Sequence, residues 1–245
     1  MGVAIIGGTG LTSLKGLEIQ RREVVHTPYG EPSGPVTHGL FHGREIIFLA
    51  RHGYGHTIPP QRVNYRANLW ALRHLGVERL VAVAAVGGIS ESMAPSVLAV
   101  PDQIIDYTWG REHTLFTDDL THVTHIDFTE PYDAKLRQLM VDAGKAAEVP
   151  LVEQGTYAAT QGPRLETAAE IRRLKHDGCD MVGMTGMPEA ALARELELAY
   201  ASCAVVANWA AGLHSAAITM EDIDRNLRLG MDRVRGLLGE LIPNL

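Results

Sequence analysis

The sequence predicts an α/β fold, one domain over residues 1–245 built on a mixed, mostly parallel β-sheet with helices packed against it. Two observations carry that expectation: short runs of consecutive apolar residues, and stretches of helical period that alternate with them. Strands whose apolar residues run on without alternating are covered on both faces. Exchange between such strands and helices along the chain marks the α/β class.

In chain order, strands are expected at Val3–Ile6, where the apolar run stops at a glycine-rich turn, and at Glu45–Ala50. The first helix is expected at Val63–Leu75 and closes on Gly76, since glycine accepts the positive φ that ends a helix. Strands follow at Leu80–Val86 and Gln103–Tyr107, then a helix at Ala134–Ala147 and a strand at Thr156–Thr160. Next come a helix at Glu166–Lys175 closing at Gly178, a strand at Asp180–Met184, a helix at Pro188–Leu196 and a strand at Ala199–Ala207. The last helix, Met220–Leu241, opens on Thr219 with Asp222 in a pattern like a capping box. The turn-forming stretch "HTPYGEPSGP", residues 26–35, reads as a surface loop or hairpin connection. Leu198–Leu213 is apolar enough to raise the question of a membrane span, but it is short of the roughly 20 residues a span needs. It also contains Asn208, so a buried strand is expected there.

Lys plus Arg number 22 against 29 for Asp plus Glu, and the net charge of −7 argues against DNA, RNA or an acidic membrane as partner. A small anion in a locally basic pocket remains compatible. Cys179 and Cys203 sit in apolar stretches without CxxC spacing and read as buried free thiols of a reducing compartment. No leader pattern opens the chain, and Ile6 stands where a myristoylation signal needs Ser or Thr, so a cytoplasmic protein is expected.

The chemistry is concentrated just after strands, where α/β sheets collect their working residues. "GVAIIGGTGL", residues 2–11, offers either a dinucleotide site or a phosphate site. A dinucleotide fingerprint needs a third glycine and a helix after the turn. Ser13 stands at the third glycine position and no clean helix pattern follows. A turn of exposed N–H groups with the Thr9 hydroxyl suits a phosphate instead. "LARHGYGH" then places Arg51, His52 and His56 after a strand, and a guanidinium fork with an imidazole suits phosphate oxygens. Metal binding by His52 and His56 is disfavoured, because an i, i+4 pair shares a face only on a helix and Gly53 and Gly55 oppose one. His122 and His125 likewise lack a carboxylate-rich helix nearby.

"VAAVGGI" at 83–89, "TQGPRLET" at 160–167 and "DMVGMTGMPEAALA" at 180–193 also end strands. With "GGTGL", "LARHG", "GPRLET", "GMTGMPEA" and "VVANWAAG" in that order, the chain resembles the trimeric purine nucleoside phosphorylase and methylthioadenosine phosphorylase family over nearly its whole length. The resemblance implies a single-domain phosphorylase fold with a distorted mixed β-sheet flanked by helices. It also implies a homotrimer that splits a purine nucleoside with inorganic phosphate as co-substrate and needs no cofactor or metal.

Carried over residue by residue, the resemblance makes Thr9, Arg51, His52, the Ala85 backbone N–H and Thr185 the phosphate pocket. Ala84 stands where many methylthioadenosine phosphorylases have a threonine, so one phosphate contact is expected to be missing or taken by water. Met184 is implied under the ribose, His56 near the sugar or phosphate, and His125 as a contact from the neighbouring subunit. The base pocket is implied at Leu165, Glu166 and Asn208, with Glu166 and Asn208 as the catalytic pair.

Members that cleave 6-aminopurines place aspartate where Asn208 stands, often with a second at the Ala210 position. An asparagine amide donates to O6 of a 6-oxopurine and its carbonyl accepts from a protonated N7. The resemblance implies that Glu166, standing where the 6-oxopurine members use a glutamate, accepts from N1–H, which adenine lacks. At the 5′ end, Met220 and Ile223 stand where enzymes for free 5′-hydroxyls have a histidine, although His214 lies a few residues upstream. Both ends together imply phosphorolysis of a 6-oxopurine 5′-methylthioriboside, as in the bacterial methylthioinosine-cleaving members. A general inosine/guanosine phosphorylase, a methylthioadenosine phosphorylase with an unusual pocket, and a non-catalytic nucleoside-binding protein stay open at this point.

Overall fold

A computed structural model describes residues 2–118, 121–214 and 218–245. Eleven strands among these residues form one continuous mixed sheet. The first six are β1 (Gly2–Gly7), β2 (Glu18–Glu23), β3 (Val36–Phe41), β4 (Arg44–Ala50), β5 (Val77–Gly88) and β6 (Leu98–Ala99). The others are β7 (Gln103–Asp106), β8 (Leu151–Val152), β9 (Thr156–Ala159), β10 (Met181–Gly183) and β11 (Ala199–Trp209). The helices are α1 (Tyr65–His74), α2 (Ala134–Ala146), α3 (Ala168–His176), α4 (Gly186–Glu195) and α5 (Met220–Leu241).

The long strand β5 is the spine. Along one edge it pairs first with parallel β1 and then, at Gly87 and Gly88, with antiparallel β10; parallel β11 runs along the other. The main path is β2-β3-β4-β1-β5-β10-β9-β7, and β11 carries the short strands β6 and β8 as a branch. This branching is the distortion that the family resemblance implied.

Alternate residues of the central strands enter two separate cores. Ala4, Ile6, Leu80, Ala82 and Val206 pack on one face with Leu69 and Leu72 of α1 and Ala190 of α4. Val3, Ile5, Val81, Val83 and Val205 pack on the other with Met140 of α2 and Val234 of α5. Both faces are therefore apolar, which is why these strands carry no polar alternation. Ile171 and Leu174 of α3 close a smaller third cluster against Val182 and Ala210.

The expected strands and helices all form, with ends shifted by a few residues. The changes at the helix starts matter most. Asn64 caps α1 by accepting from the Ala67 N–H, so Val63 lies outside it. Thr167 and Glu170 form a reciprocal capping box that starts α3 at Ala168. Glu166, expected in the first turn of that helix, is instead in the loop before it. Thr219 caps α5 as expected, accepting from the Asp222 N–H.

Four strands go beyond those expected: the two-residue β6 and β8, and β2 and β3, which carry no apolar run. β2 and β3 join β4 as an antiparallel arm, and the 26–35 stretch connects them as a hairpin link. β2 reads "EIQRRE" and is largely exposed. It is a charged edge strand, of the kind that resists pairing with other chains. Leu198–Leu213 contains the buried strand β11, both cysteines are free and buried, and among the described residues no helix is long and apolar enough to cross a membrane.

Candidate active site

The C-terminal ends of β1, β4, β5, β10 and β11 open onto one cavity of about 450 Å³. Thr9, Arg51, His52, His56, Ala85, Leu165, Glu166, Met184, Thr185, Asn208, Met220 and Ile223 all line it. His125 does not line it and is exposed.

At the β1 end of the cavity the strand stops at Gly7 and turns through Gly8 and Thr9 without opening the helix that a dinucleotide fingerprint requires. The Arg51 N–H donates to the Gly7 carbonyl at 2.9 Å, so the ends of β1 and β4 are held side by side. A Cβ on Gly8 would lie 2.6 Å from the Val83 carbonyl oxygen and 2.8 Å from Arg51 Nη1, so only glycine fits there.

Arg51 is 1% exposed and pairs with Glu189 of α4, itself fully buried. Nε donates to Oε2 at 2.6 Å, Nη2 to Oε1 at 2.8 Å, and Nη1 to the Val83 carbonyl at 2.9 Å. Tyr200 donates to the same carboxylate at 2.9 Å. Burial alone would depress the guanidinium, but the charge and hydrogen bonds of Glu189 more than offset it and hold Arg51 charged, above its ordinary value. Of its five N–H groups, two remain for a ligand.

His52 Nδ1 lies 2.8 Å from the Ile58 carbonyl oxygen. A carbonyl only accepts, so Nδ1 carries the proton and Nε2 keeps its lone pair. Burial, aided by the charge on Arg51, pushes the imidazole down to about 4, so it is neutral at physiological pH. The His52 and His56 rings stand 4.8 Å apart, correcting the expectation that without a helix they would not share a face. A tight turn, with His56 at φ +51, folds the chain back and does what a helix would have done. Among the described residues no three metal-ligating side chains gather.

The other end of the cavity is set by β11. Its ladder with β5 skips Ala207, pairing Val206 with Val86 and Asn208 with Gly87, and this bulge brings both Ala207 and Asn208 to the cavity wall. Asn226 of α5 donates to the Ala207 carbonyl at 2.9 Å, and Asn208 donates to the Trp209 carbonyl at 2.7 Å. One amide hydrogen of Asn208 and its carbonyl oxygen are left for a ligand. Glu166 Oε1 accepts from the Thr160 hydroxyl at 2.7 Å, which fixes the carboxylate at the mouth of the loop after β9.

Met220 and Ile223 supply an apolar patch, extended by Ile218 and Leu227. His214 packs at a tilt against Trp209, with ring centroids 4.7 Å apart, in a neighbouring cleft rather than in the cavity. Sequence reasoning missed Glu189 and Asn226 as supports of Arg51 and of the bulge. "MPEA" held the only signal for Glu189, a carboxylate inside an apolar helix, which demands a buried partner.

The strand ends of one mixed sheet thus meet at a cleft that holds a buried, charged arginine with uncommitted N–H donors and is lined by the Asn208 amide and the Glu166 carboxylate, the build of a small-molecule enzyme. The chain belongs to the phosphorylase superfamily, whose sequence profile matches residues 2–243. It is 56% identical, over 98% of its length and 97% of the relative's, to a protein of Pseudomonas syringae pv. tomato named "Probable S-methyl-5′-thioinosine phosphorylase". It is 44% identical to the 6-oxopurine nucleoside phosphorylase of Pyrococcus furiosus, over 98% of this chain and 92% of that one. The methylthioadenosine phosphorylase of Schistosoma mansoni, solved in complex with adenine, superposes with a TM-score of 0.95 at 32% identity, over 99% of this chain and 91% of that one.

Proposed function

We propose that this phosphorylase cleaves S-methyl-5′-thioinosine to hypoxanthine and 5-methylthioribose 1-phosphate. The observation that carries this reading is that Asn208 and Glu166 line the same cavity, whose 5′ wall is apolar at Met220 and Ile223. The name borne by the Pseudomonas relative supports it.

In this reading phosphate sits between Thr9, the Ala85 N–H, Thr185 and the two uncommitted N–H groups of Arg51. His52 Nε2 accepts from the hydroxyl of hydrogen phosphate. The anion attacks C1′ from the face opposite the base as the glycosidic bond loosens, and its charge stabilises the positive ribosyl ring held over Met184. The glycosidic electron pair stays with the leaving base, whose negative charge gathers at O6, where the Asn208 amide donates, so the interaction strengthens in the transition state. A proton from water at N7, held by the Asn208 carbonyl, completes neutral hypoxanthine. Glu166 orients the base through N1–H. The scheme uses no covalent enzyme intermediate, metal or cofactor.

We further propose a homotrimer in which His125 of one subunit reaches the sugar end of the next; its exposure on the single chain supports this. Buried free Cys179 and Cys203 fit a reducing cytoplasm.

A second reading, a general inosine/guanosine phosphorylase, is favoured by the Pyrococcus relative. Methylthioadenosine cleavage, the activity named for the Schistosoma neighbour, is opposed by an amide rather than a carboxylate at Asn208. The test is release of free base from methylthioinosine, methylthioadenosine and inosine, each with and without phosphate. Fast, phosphate-dependent cleavage of methylthioinosine alone is expected. Equal rates on inosine would favour the second reading, and release without phosphate would remove the phosphorolytic one.

A further inference from the structure

Arg111 lies in the irregular segment after β7 and does not line the cavity, yet its guanidinium ties together the segments that do. Nη1 donates to the carbonyls of Met184 at 2.8 Å and Met187 at 2.6 Å, beside the loop between β10 and α4. Nη2 donates to the carbonyls of Gln161 at 2.8 Å and Thr160 at 3.2 Å, in the loop after β9, and Nε donates to Gln161 Oε1 at 3.2 Å. Nη1 also reaches the Tyr65 hydroxyl at 3.3 Å, and that hydroxyl donates to the Pro60 carbonyl at 2.9 Å.

Three of these contacts lead to the cavity. Thr160 holds Glu166, Met184 is itself a wall, and Pro60 closes the segment after His56. A Cβ on Gly162 would fall 2.4 Å from Met184 Sδ, so the loop after β9 packs directly against the Met184 side chain. The carbonyls involved sit past the ends of β9 and β10, where the sheet ladder no longer supplies donors. Only a planar fork reaches both loops at once; an ammonium is a point donor on a different stem. Arg51, by contrast, is held by Glu189 and by the Gly7 carbonyl, away from Arg111, whereas Thr185 lies between the two carbonyls of Met184 and Met187 that Arg111 holds.

We propose that Arg111 is a positioning residue for the reaction: it sets the distance between the base-side loop carrying Glu166 and the ribose-side residue Met184. The proposal rests on the phosphorylase reading for its kinetic consequence but not for its structural one. Arg111→Ala lowers kcat about 100-fold, the cost of roughly an ångström of misplacement, while KM for phosphate, which shares Thr185 with the loosened loop but keeps Thr9 and Arg51, rises by less than about tenfold. Arg111→Lys, which keeps the charge, falls nearly as far, and added guanidinium ion at non-denaturing concentration restores part of the activity of Arg111→Ala.

Hydrogen exchange supplies a readout that does not depend on the substrate. In Arg111→Ala, amides of residues 160–166 and 184–187 should lose about tenfold in protection while those of 44–53 keep theirs. Arg111→Lys gives the same comparison if the alanine variant does not fold. Unchanged protection in the two loops overturns the proposal, as does a uniform loss across all three segments, which would make Arg111 a general brace. A phosphate KM that rises in step with the fall in kcat also overturns it. If wild type releases no base from any nucleoside, the functional reading fails, and the exchange pattern still decides the role of Arg111.

Discussion

Arg51 and Glu189, 138 positions apart in the chain, meet in a buried two-point ion pair with Nε to Oε2 at 2.6 Å and Nη2 to Oε1 at 2.8 Å. The carboxylate takes one edge of the guanidinium and turns the remaining donors toward the cavity. A residue of α4 thereby aims one that follows β4.

Removing one partner of such a pair strands a charge in the interior, at about 3–5 kcal/mol. Glu189→Ala should therefore lower Tm by roughly 6–20 °C, at the few degrees per kcal/mol usual for a chain of this size. Thermal unfolding followed by circular dichroism reads this out directly. A shift below about 2 °C would mean the pair contributes little and Arg51 finds other partners.

Gly8→Ala should raise the phosphate KM at least about tenfold while moving the nucleoside KM much less, since loss at one substrate's site shows chiefly in that substrate's KM. The added Cβ meets the Val83 carbonyl oxygen at 2.6 Å, and a backbone atom of the central strand does not yield. Initial rates over a phosphate titration check it, and equal rises in both KM values would contradict the assignment of this turn to phosphate.

His52 predicts a specific pH dependence of stability. Burial and Arg51 lower it from 6.5 to about 4 in the fold, so as pH falls through 6.5 the unfolded chain takes up the proton first. Stability present above pH 6.5 is lost on the way to pH 4, on the order of 3 kcal/mol from this one group. Unfolding free energies of wild type and His52→Asn should differ by a constant amount above pH 7 and converge in that window. Parallel curves throughout would show that His52 is not held neutral.

Asn208→Asp should move the ratio of kcat/KM for methylthioinosine over methylthioadenosine toward the adenine nucleoside by roughly 100-fold or more, because sites built on hydrogen bonds discriminate strongly between edge patterns. A carboxylate there repels O6 and accepts from a 6-amino group. Side-by-side kinetics of the two substrates provide the check; a variant that loses both activities equally would make Asn208 a support of the bulge rather than a reader of the base.

Much of this molecule was legible in one dimension because its determinants are local. The central strands announce themselves as apolar runs, since both faces are covered, and α5 runs over Met220–Leu241 as its period and its Thr219 cap predict. The edge strand β2 was invisible because a solvated strand needs no apolar pattern. Helix starts slipped for a similar reason: a cap is a hydrogen bond, and Thr167 rather than Glu166 makes it.

The sequence by itself determined the α/β class, the glycine turns and the kinds of residue placed after each strand, because periodicity and turn chemistry act over a few residues. Only the tertiary structure decided that Glu189 aims Arg51, that Asn226 supports the bulge displaying Asn208, and that Arg111 spans two loops. Those are hydrogen bonds between distant segments in a low-dielectric interior. Their strength depends on distance and angle, quantities that come into being only when the sheet brings the strand ends together.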